Sequence, residues 1–182
     1  MKRKLLILSL LFVWATGSAD GIKKPEKPYS VSIGLYAENI SSNTFSDDAG
    51  FSGYALAMGQ VFQDNLDGRI TVYSSENDNL SSLDSRGYDI VLHYGTGLAS
   101  QGFKAYIGGG YFKDTWELSD FRESFSGLQI SGGVGYNWNL ISLDFVLAIR
   151  DPNDYEKLIN KVLRTDKSVD AYSGSLLLSY RF

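Results

Sequence analysis

The chain has 182 residues, a length that suits one domain, with a formal net charge of −4 and no cysteine. The acidic balance argues against nucleic acid as a partner, because phosphate binding needs basic patches. The lack of cysteine excludes disulfides, thiolate metal sites and cysteine nucleophiles.

Residues 1–19 read MKRKLLILSLLFVWATGSA. Lys2, Arg3 and Lys4 form a basic start, Leu5 to Ala15 an apolar run, and Gly17, Ser18 and Ala19 a small-residue end. This pattern predicts a secretory signal peptide over 1–19, cleaved near Ala19. The apolar run is short of the ~20 residues a spanning helix needs. Residues 20–28, with Lys23, Lys24, Pro25, Lys27 and Pro28, read as an extended tail on the periplasmic side.

From Tyr29 to Phe182 the apolar residues recur with period two, the signature of strands with two unlike faces. In the first strand Tyr29, Val31, Ile33, Leu35 and Ala37 share a face; Ser30, Ser32, Gly34 and Tyr36 share the other. The same alternation sets Tyr54, Leu56, Met58 and Phe62 against Gly53, Ala55, Ala57 and Gly59, and then Ile70 and Val72 against Arg69, Thr71 and Tyr73. It returns with Tyr88, Ile90, Leu92 and Tyr94, with Leu128, Ile130, Val134, Tyr136 and Trp138, and with Leu143, Phe145, Leu147 and Ile149. The last strand carries Tyr172, Leu176, Leu178, Tyr180 and Phe182. In residues 103–113, KAYIGGGYF with its flanks, glycine sits on both faces and the facing stays open. The total is about eight strands of about ten residues, the length of a tilted membrane-crossing strand.

Connections alternate in length. Short ones fall near Gln63–Gly68, Gly97–Gly102 and Asn137–Leu140; long polar ones span Asn39–Gly50, Ser75–Arg86, Lys113–Ser126 and Asp151–Asp170. Short periplasmic turns and long external loops are the asymmetry of an outer-membrane barrel. The expected fold is therefore all-β: an eight-stranded antiparallel up-and-down transmembrane β-barrel over residues 29–182.

Alternation alone does not say which face looks out, and a soluble barrel carrying an apolar ligand alternates too. Two features favour the apolar face as the lipid face. Aromatics fall at both ends of the apolar rows with aliphatics between them, as two interfacial girdles would require. The opposite face carries Glu38, Arg69, Asp89, His93, Asp144, Arg150 and Arg181. A basic residue on a lipid face costs ~2–4 kcal/mol near the midplane, so these belong to a lumenal polar network. Asp144 and Arg181, near the same end of adjoining strands, are expected to pair.

Signal peptide, strand count, loop asymmetry and terminal aromatic together resemble the small eight-stranded outer-membrane barrels. That group includes the OmpA transmembrane domain, the OmpX/Ail proteins and the opacity proteins. The resemblance covers essentially the whole mature chain and is architectural. It implies that the last strand is read by the barrel assembly machinery, with Ser175 as the polar position and Tyr180 and Phe182 as the alternating aromatics; Leu177 stands where glycine is expected. It further implies a monomer in the outer membrane of a Gram-negative bacterium, in contact with outer-membrane lipid and lipopolysaccharide.

Chemistry is sparse. The only histidine, His93, falls on the lumenal face nearer the periplasmic end, away from any outer-leaflet substrate. It reads as a hydrogen-bonding residue and not as a base positioned for a nucleophile. Gly132, Gly133 and Gly135 sit inside a strand with no helix after it, so they make no phosphate loop; they leave room for bulky lumenal neighbours or let the sheet curve. No catalytic, cofactor-binding or metal-ligating residue is assigned, and no cofactor is expected. In DPNDYEKLINKVLRTDK, Lys157, Lys161 and Arg164 recur at helical spacing, which fits a surface helix touching lipopolysaccharide phosphates or an ordinary solvated turn. The expected role is a non-enzymatic outer-membrane barrel, structural or making surface contacts through long loops. The alternatives are a lipid A-modifying enzyme and a soluble periplasmic carrier of an apolar ligand.

Overall fold

A computed structural model describes residues 25–42, 49–80, 82–119, 121–163 and 168–182. The signal-peptide segment 1–19, most of the tail 20–28 and Arg164 lie outside the described residues. The strands are β1 (Tyr29–Ser42), β2 (Ala49–Gln63), β3 (Leu66–Asn77), β4 (Asp84–Thr96), β5 (Gly102–Leu118), β6 (Phe121–Asn137), β7 (Ile141–Arg150) and β8 (Val169–Arg181). Among the described residues one helix, α1 (Asn153–Leu163), lies between β7 and β8.

Each strand pairs antiparallel with its neighbour in sequence, and β8 returns to β1, so the sheet closes into an up-and-down barrel. Closure leaves no open edge, the arrangement that satisfies backbone polar groups away from water. The seam extends to the last residue, where Tyr29 and Phe182 exchange both backbone hydrogen bonds at 3.0 Å.

The period-two pattern places the aliphatics outside. Ile107 is 69% exposed and Leu128 71%, while Phe112 is fully buried. Tyr54, Tyr88, Tyr111 and Tyr172 ring the outer wall toward the long connections, and Tyr94, Phe103, Tyr136, Trp138, Tyr180 and Phe182 ring it toward the short turns. We refer to these as the loop end and the turn end. Residues 103–113 now have a facing: Phe103, Ile107 and Tyr111 point out, and Lys104, Tyr106 and Phe112 point in.

One expected loop is sheet instead. The stretch Lys113–Ser126 continues β5 and β6 as a hairpin turning at Ser119, whose φ is 48°. Its outer face is polar, with Lys113, Thr115, Arg122 and Ser124, and its inner face holds Asp114, Trp116 and Phe125. Polarity is inverted relative to the belt below, so the alternation there reads as loop to an eye searching for an apolar outer face.

Candidate functional site

The polar residues expected on the inner face all point inward, and the barrel sorts all but Arg181 into two networks. Toward the loop end, Arg150 on β7 lies between two carboxylates. Its Nη1 is 3.1 Å from Glu38 Oε1 and its Nη2 donates to Asp89 Oδ1 at 2.8 Å. The guanidinium plane also sits over the rings of Phe112 and Tyr73, at 4.7 and 5.1 Å from their centroids. Tyr73 stacks on Tyr36 at 4.1 Å. A fixed planar cation shared between two acids and a ring wall is the role arginine fills better than lysine.

Toward the turn end, Asp144 is the hub. Its Oδ2 accepts from Lys104 Nζ at 2.8 Å and Ser142 Oγ at 3.0 Å, and its Oδ1 from Tyr106 Oη at 2.7 Å. Arg69 Nη2 lies 3.5 Å from Asp144 Oδ1 and 3.8 Å from Asp67 Oδ2. His93 Nδ1 is 2.7 Å from Asp67 Oδ1, and its ring packs on Tyr106 at 4.7 Å. His93 is thus a buried structural partner of Asp67, away from the loop end. Between the networks lies a cavity of about 30 Å³ lined in part by Thr71, Gln129 and Ser131, room for little more than a water molecule.

The expected Asp144–Arg181 pair does not form. Arg181 instead donates to Ala99 O at 2.6 Å, to Trp138 O at 3.4 Å and to Leu98 O at 3.5 Å. Asn137 Nδ2 reaches Gly97 O, Leu98 O and Ser100 O at 2.8, 3.2 and 3.0 Å. Together these side chains fold the β4–β5 turn into the barrel mouth, with Leu98 buried. Arg181 satisfies the carbonyls of that tucked turn, while Lys104 and Arg69 hold Asp144.

The loop end is stoppered as well. Ile40, Phe51, Phe112, Trp116, Phe125, Val169 and Ala171 form an apolar cluster around Tyr155, which α1 lowers into it. The Tyr155 hydroxyl donates to Glu38 Oε1 at 3.0 Å. Asp114 accepts from Ser85 Oγ at 2.7 Å and Trp116 Nε1 at 2.9 Å. On the outer side of α1, Lys157 Nζ donates to Asp154 Oδ1 at 2.8 Å and Asp154 Oδ2 accepts from Ser126 N at 3.2 Å. The Lys157 hydrogen bond, followed by that of the Ser126 backbone, holds the Asp154 carboxyl below the usual carboxylate range. Of the three cations singled out on this element, Lys157 is largely exposed, Lys161 lies within α1, and Arg164 falls outside the described residues.

On the last strand, Tyr180 and Phe182 point outward with ring centroids 6.1 Å apart, and Ser175 sits half-buried on the inner face opposite Tyr36. Among the described residues no cluster of three or more acidic or histidine side chains could hold a metal ion.

Sequence reasoning missed Asp67, Lys104, Tyr106, Asp114 and Tyr155. Asp67 lies two residues before Arg69 on the same face, a signal that was available. Lys104 and Tyr106 needed the facing of β5. Three inward glycines make room for this core. A Cβ on Gly133 would lie 2.5 Å from the Tyr106 ring, one on Gly108 2.4 Å from His93 Cδ2, and one on Gly135 2.8 Å from Lys104 Cε.

No protein-family model and no curated protein matches the chain. Solved structures do. Ail, the attachment invasion locus protein of Yersinia pestis, is 17% identical with a TM-score of 0.57, covering 86% of this chain and 99% of its own. Neisserial surface protein A is 16% identical with a TM-score of 0.56, covering 84% and 95%. OprG, an outer membrane protein from Pseudomonas aeruginosa, is 14% identical with a TM-score of 0.56, covering 88% and 99%. At these identities the likeness is one of fold: the chain has the closed eight-stranded architecture of the small outer-membrane barrels.

Proposed function

We propose that this chain is an outer-membrane barrel with no catalytic role, which seals its own lumen and presents its loop end for surface contacts. The observation that carries the reading is the division of the wall. A continuous aliphatic belt between two aromatic girdles faces out, while paired charges fill the inside. In water the outer face would be a large exposed apolar surface, which soluble monomers avoid; in a bilayer it is the solvated face. The same division disfavours a carrier of apolar ligands, whose cavity would need an apolar lining.

The absence of a catalytic role draws support from His93, whose Nδ1 is taken by Asp67 deep inside the barrel. The surface role draws support from Ail, named for attachment and invasion, and from NspA, named as a surface protein, which share the fold. Ser175, Tyr180 and Phe182 form the assembly signal in this reading, and export follows the segment 1–19. Lys157, exposed on α1, would face lipopolysaccharide phosphates.

The test is a denaturing gel of the outer-membrane fraction with and without boiling. A closed barrel in that fraction shifts its mobility on boiling. Recovery from the soluble periplasm would sink the membrane reading. An altered lipid A mass profile on overexpression would overturn the non-enzymatic role.

A further inference from the structure

The outer wall is electrically uneven at the loop end. Toward β2 and β3 its outward side chains include Ser52 and Glu76, with Asp78 held by the Ser52 hydroxyl at 2.6 Å. Across β4, β5 and β6 the register builds a different surface. Ile90, Tyr111 and Leu128 form one apolar row, the top of the belt. Directly above them lie Tyr88, Lys113 and Ser126, and above those Arg86, Thr115 and Ser124.

Lys113 is exposed, and its side chain has no ion-pair or hydrogen-bond partner among the described residues. Arg86 is 60% exposed and meets only Asp84, at 3.4 Å, an exposed contact that an incoming anion can displace. Thr115 Oγ1 and Ser124 Oγ lie 3.1 Å apart beside them. The next outward acid on β5, Glu117, is engaged by Arg122 at 3.2 Å. Two available cations and the Thr115 and Ser124 hydroxyls thus face outward in two adjacent rows, immediately above apolar side chains, while Ser126 is bonded to Asp154 on α1.

We propose that Lys113 and Arg86, with the hydroxyls of Thr115 and Ser124, bind the phosphate of an anionic membrane lipid whose acyl chains lie along Ile90, Tyr111 and Leu128. The inference rests on the membrane reading above. Phosphate oxygens accept from guanidinium and ammonium in charge-assisted hydrogen bonds, and a lysine stem lies along an apolar wall while its head reaches the polar layer. Glu76 and Asp78 repel the same phosphate, which confines the lipid to the β4–β6 flank.

The test uses the full mature chain inserted in vesicles of phosphatidylcholine and phosphatidylglycerol at 4:1, with insertion checked by flotation. Lipids retained after gentle detergent extraction are counted by native mass spectrometry. The wild type should retain phosphatidylglycerol above its bulk share, and Lys113→Gln and Arg86→Gln should each lower that enrichment about fivefold, the factor expected per basic residue at an anionic surface. Lys27→Gln, at the turn end beside Asn139, should leave it unchanged. Flotation with retained lipid at the bulk ratio, or enrichment that survives the double variant, overturns this proposal alone. Failure to float with any vesicle overturns the membrane reading and this one with it. Enrichment abolished equally by a moderate excess of inorganic phosphate would assign the site to a free anion and overturn the lipid.

Discussion

Tyr155, carried on the helix outside the sheet, donates its hydroxyl to Glu38 Oε1 across 117 positions of sequence. One contact therefore ties the helical cap to the ion pair that fills the barrel beneath it. Tyr155→Phe removes the donor and leaves Glu38 to Arg150 alone, a loss of ~1.5–3 kcal/mol for a hydrogen bond to a charged group. Tyr155→Ala also empties the pocket among Phe51, Phe112, Trp116 and Phe125, raising the cost to ~3–5 kcal/mol. Urea titration in lipid vesicles, read by gel mobility, should rank the variants in that order. Protease cleavage within α1 should rise most in the alanine variant. Equal stability of all three would mean that α1 does not close the mouth.

Arg150 is shared between Glu38 and Asp89, its side chain closed off from solvent. Replacing it with methionine strands two buried carboxylates, and a broken buried pair costs ~3–5 kcal/mol. Adding Glu38→Gln to Arg150→Met should recover part of the loss, because it removes one of the stranded charges. A double variant less stable than Arg150→Met would contradict the pairing.

The outward rows were legible because a belt that faces lipid must be apolar at every second position, and that requirement acts locally on each strand. The pairings inside were not, because they depend on which strands face each other across the lumen. Asp144 and Arg181 share an end and a pair of neighbouring strands, yet Lys104 from β5 reaches Asp144 first. Lys104 itself was hidden because Gly108, Gly109 and Gly110 blur the alternation of β5. The upper part of the β5–β6 hairpin failed for a different reason: above the belt, water replaces the apolar surroundings, and the outer face becomes the polar one.

The coupling energies around Asp144 should follow the observed bonds. A double-mutant cycle between Asp144→Asn and Lys104→Met should give an interaction of ~1–3 kcal/mol, as partners in one network do. The same cycle between Asp144→Asn and Arg181→Gln should fall within ~0.5 kcal/mol of additivity. Arg181→Gln alone should loosen the β4–β5 turn, seen as faster amide exchange at Leu98 and Ser100. Strong coupling between Asp144 and Arg181 would restore the pairing expected from sequence.

Gly133 faces the Tyr106 ring, where an added methyl group would lie 2.5 Å from ring carbons. The ring has little freedom to retreat. Its hydroxyl is bonded to Asp144 at 2.7 Å, and its face packs on His93. Gly133→Ala must therefore displace the hub of the turn-end network or bend β6, and overpacking of this kind costs ~1–3 kcal/mol. Gly132→Ala is the control, because the nearest atom to its Cβ is a backbone oxygen at 3.7 Å, an ordinary contact. The first variant should lower the urea midpoint of the vesicle-inserted barrel and the second should not. Pairing Gly133→Ala with Tyr106→Phe should not relieve the loss, because the clash involves ring carbons as well as the hydroxyl, whereas pairing it with Tyr106→Leu should recover part of it. If Gly133→Ala matches wild type, the Tyr106 ring is not held against β6, and the Asp144 hub is looser than its hydrogen bonds imply.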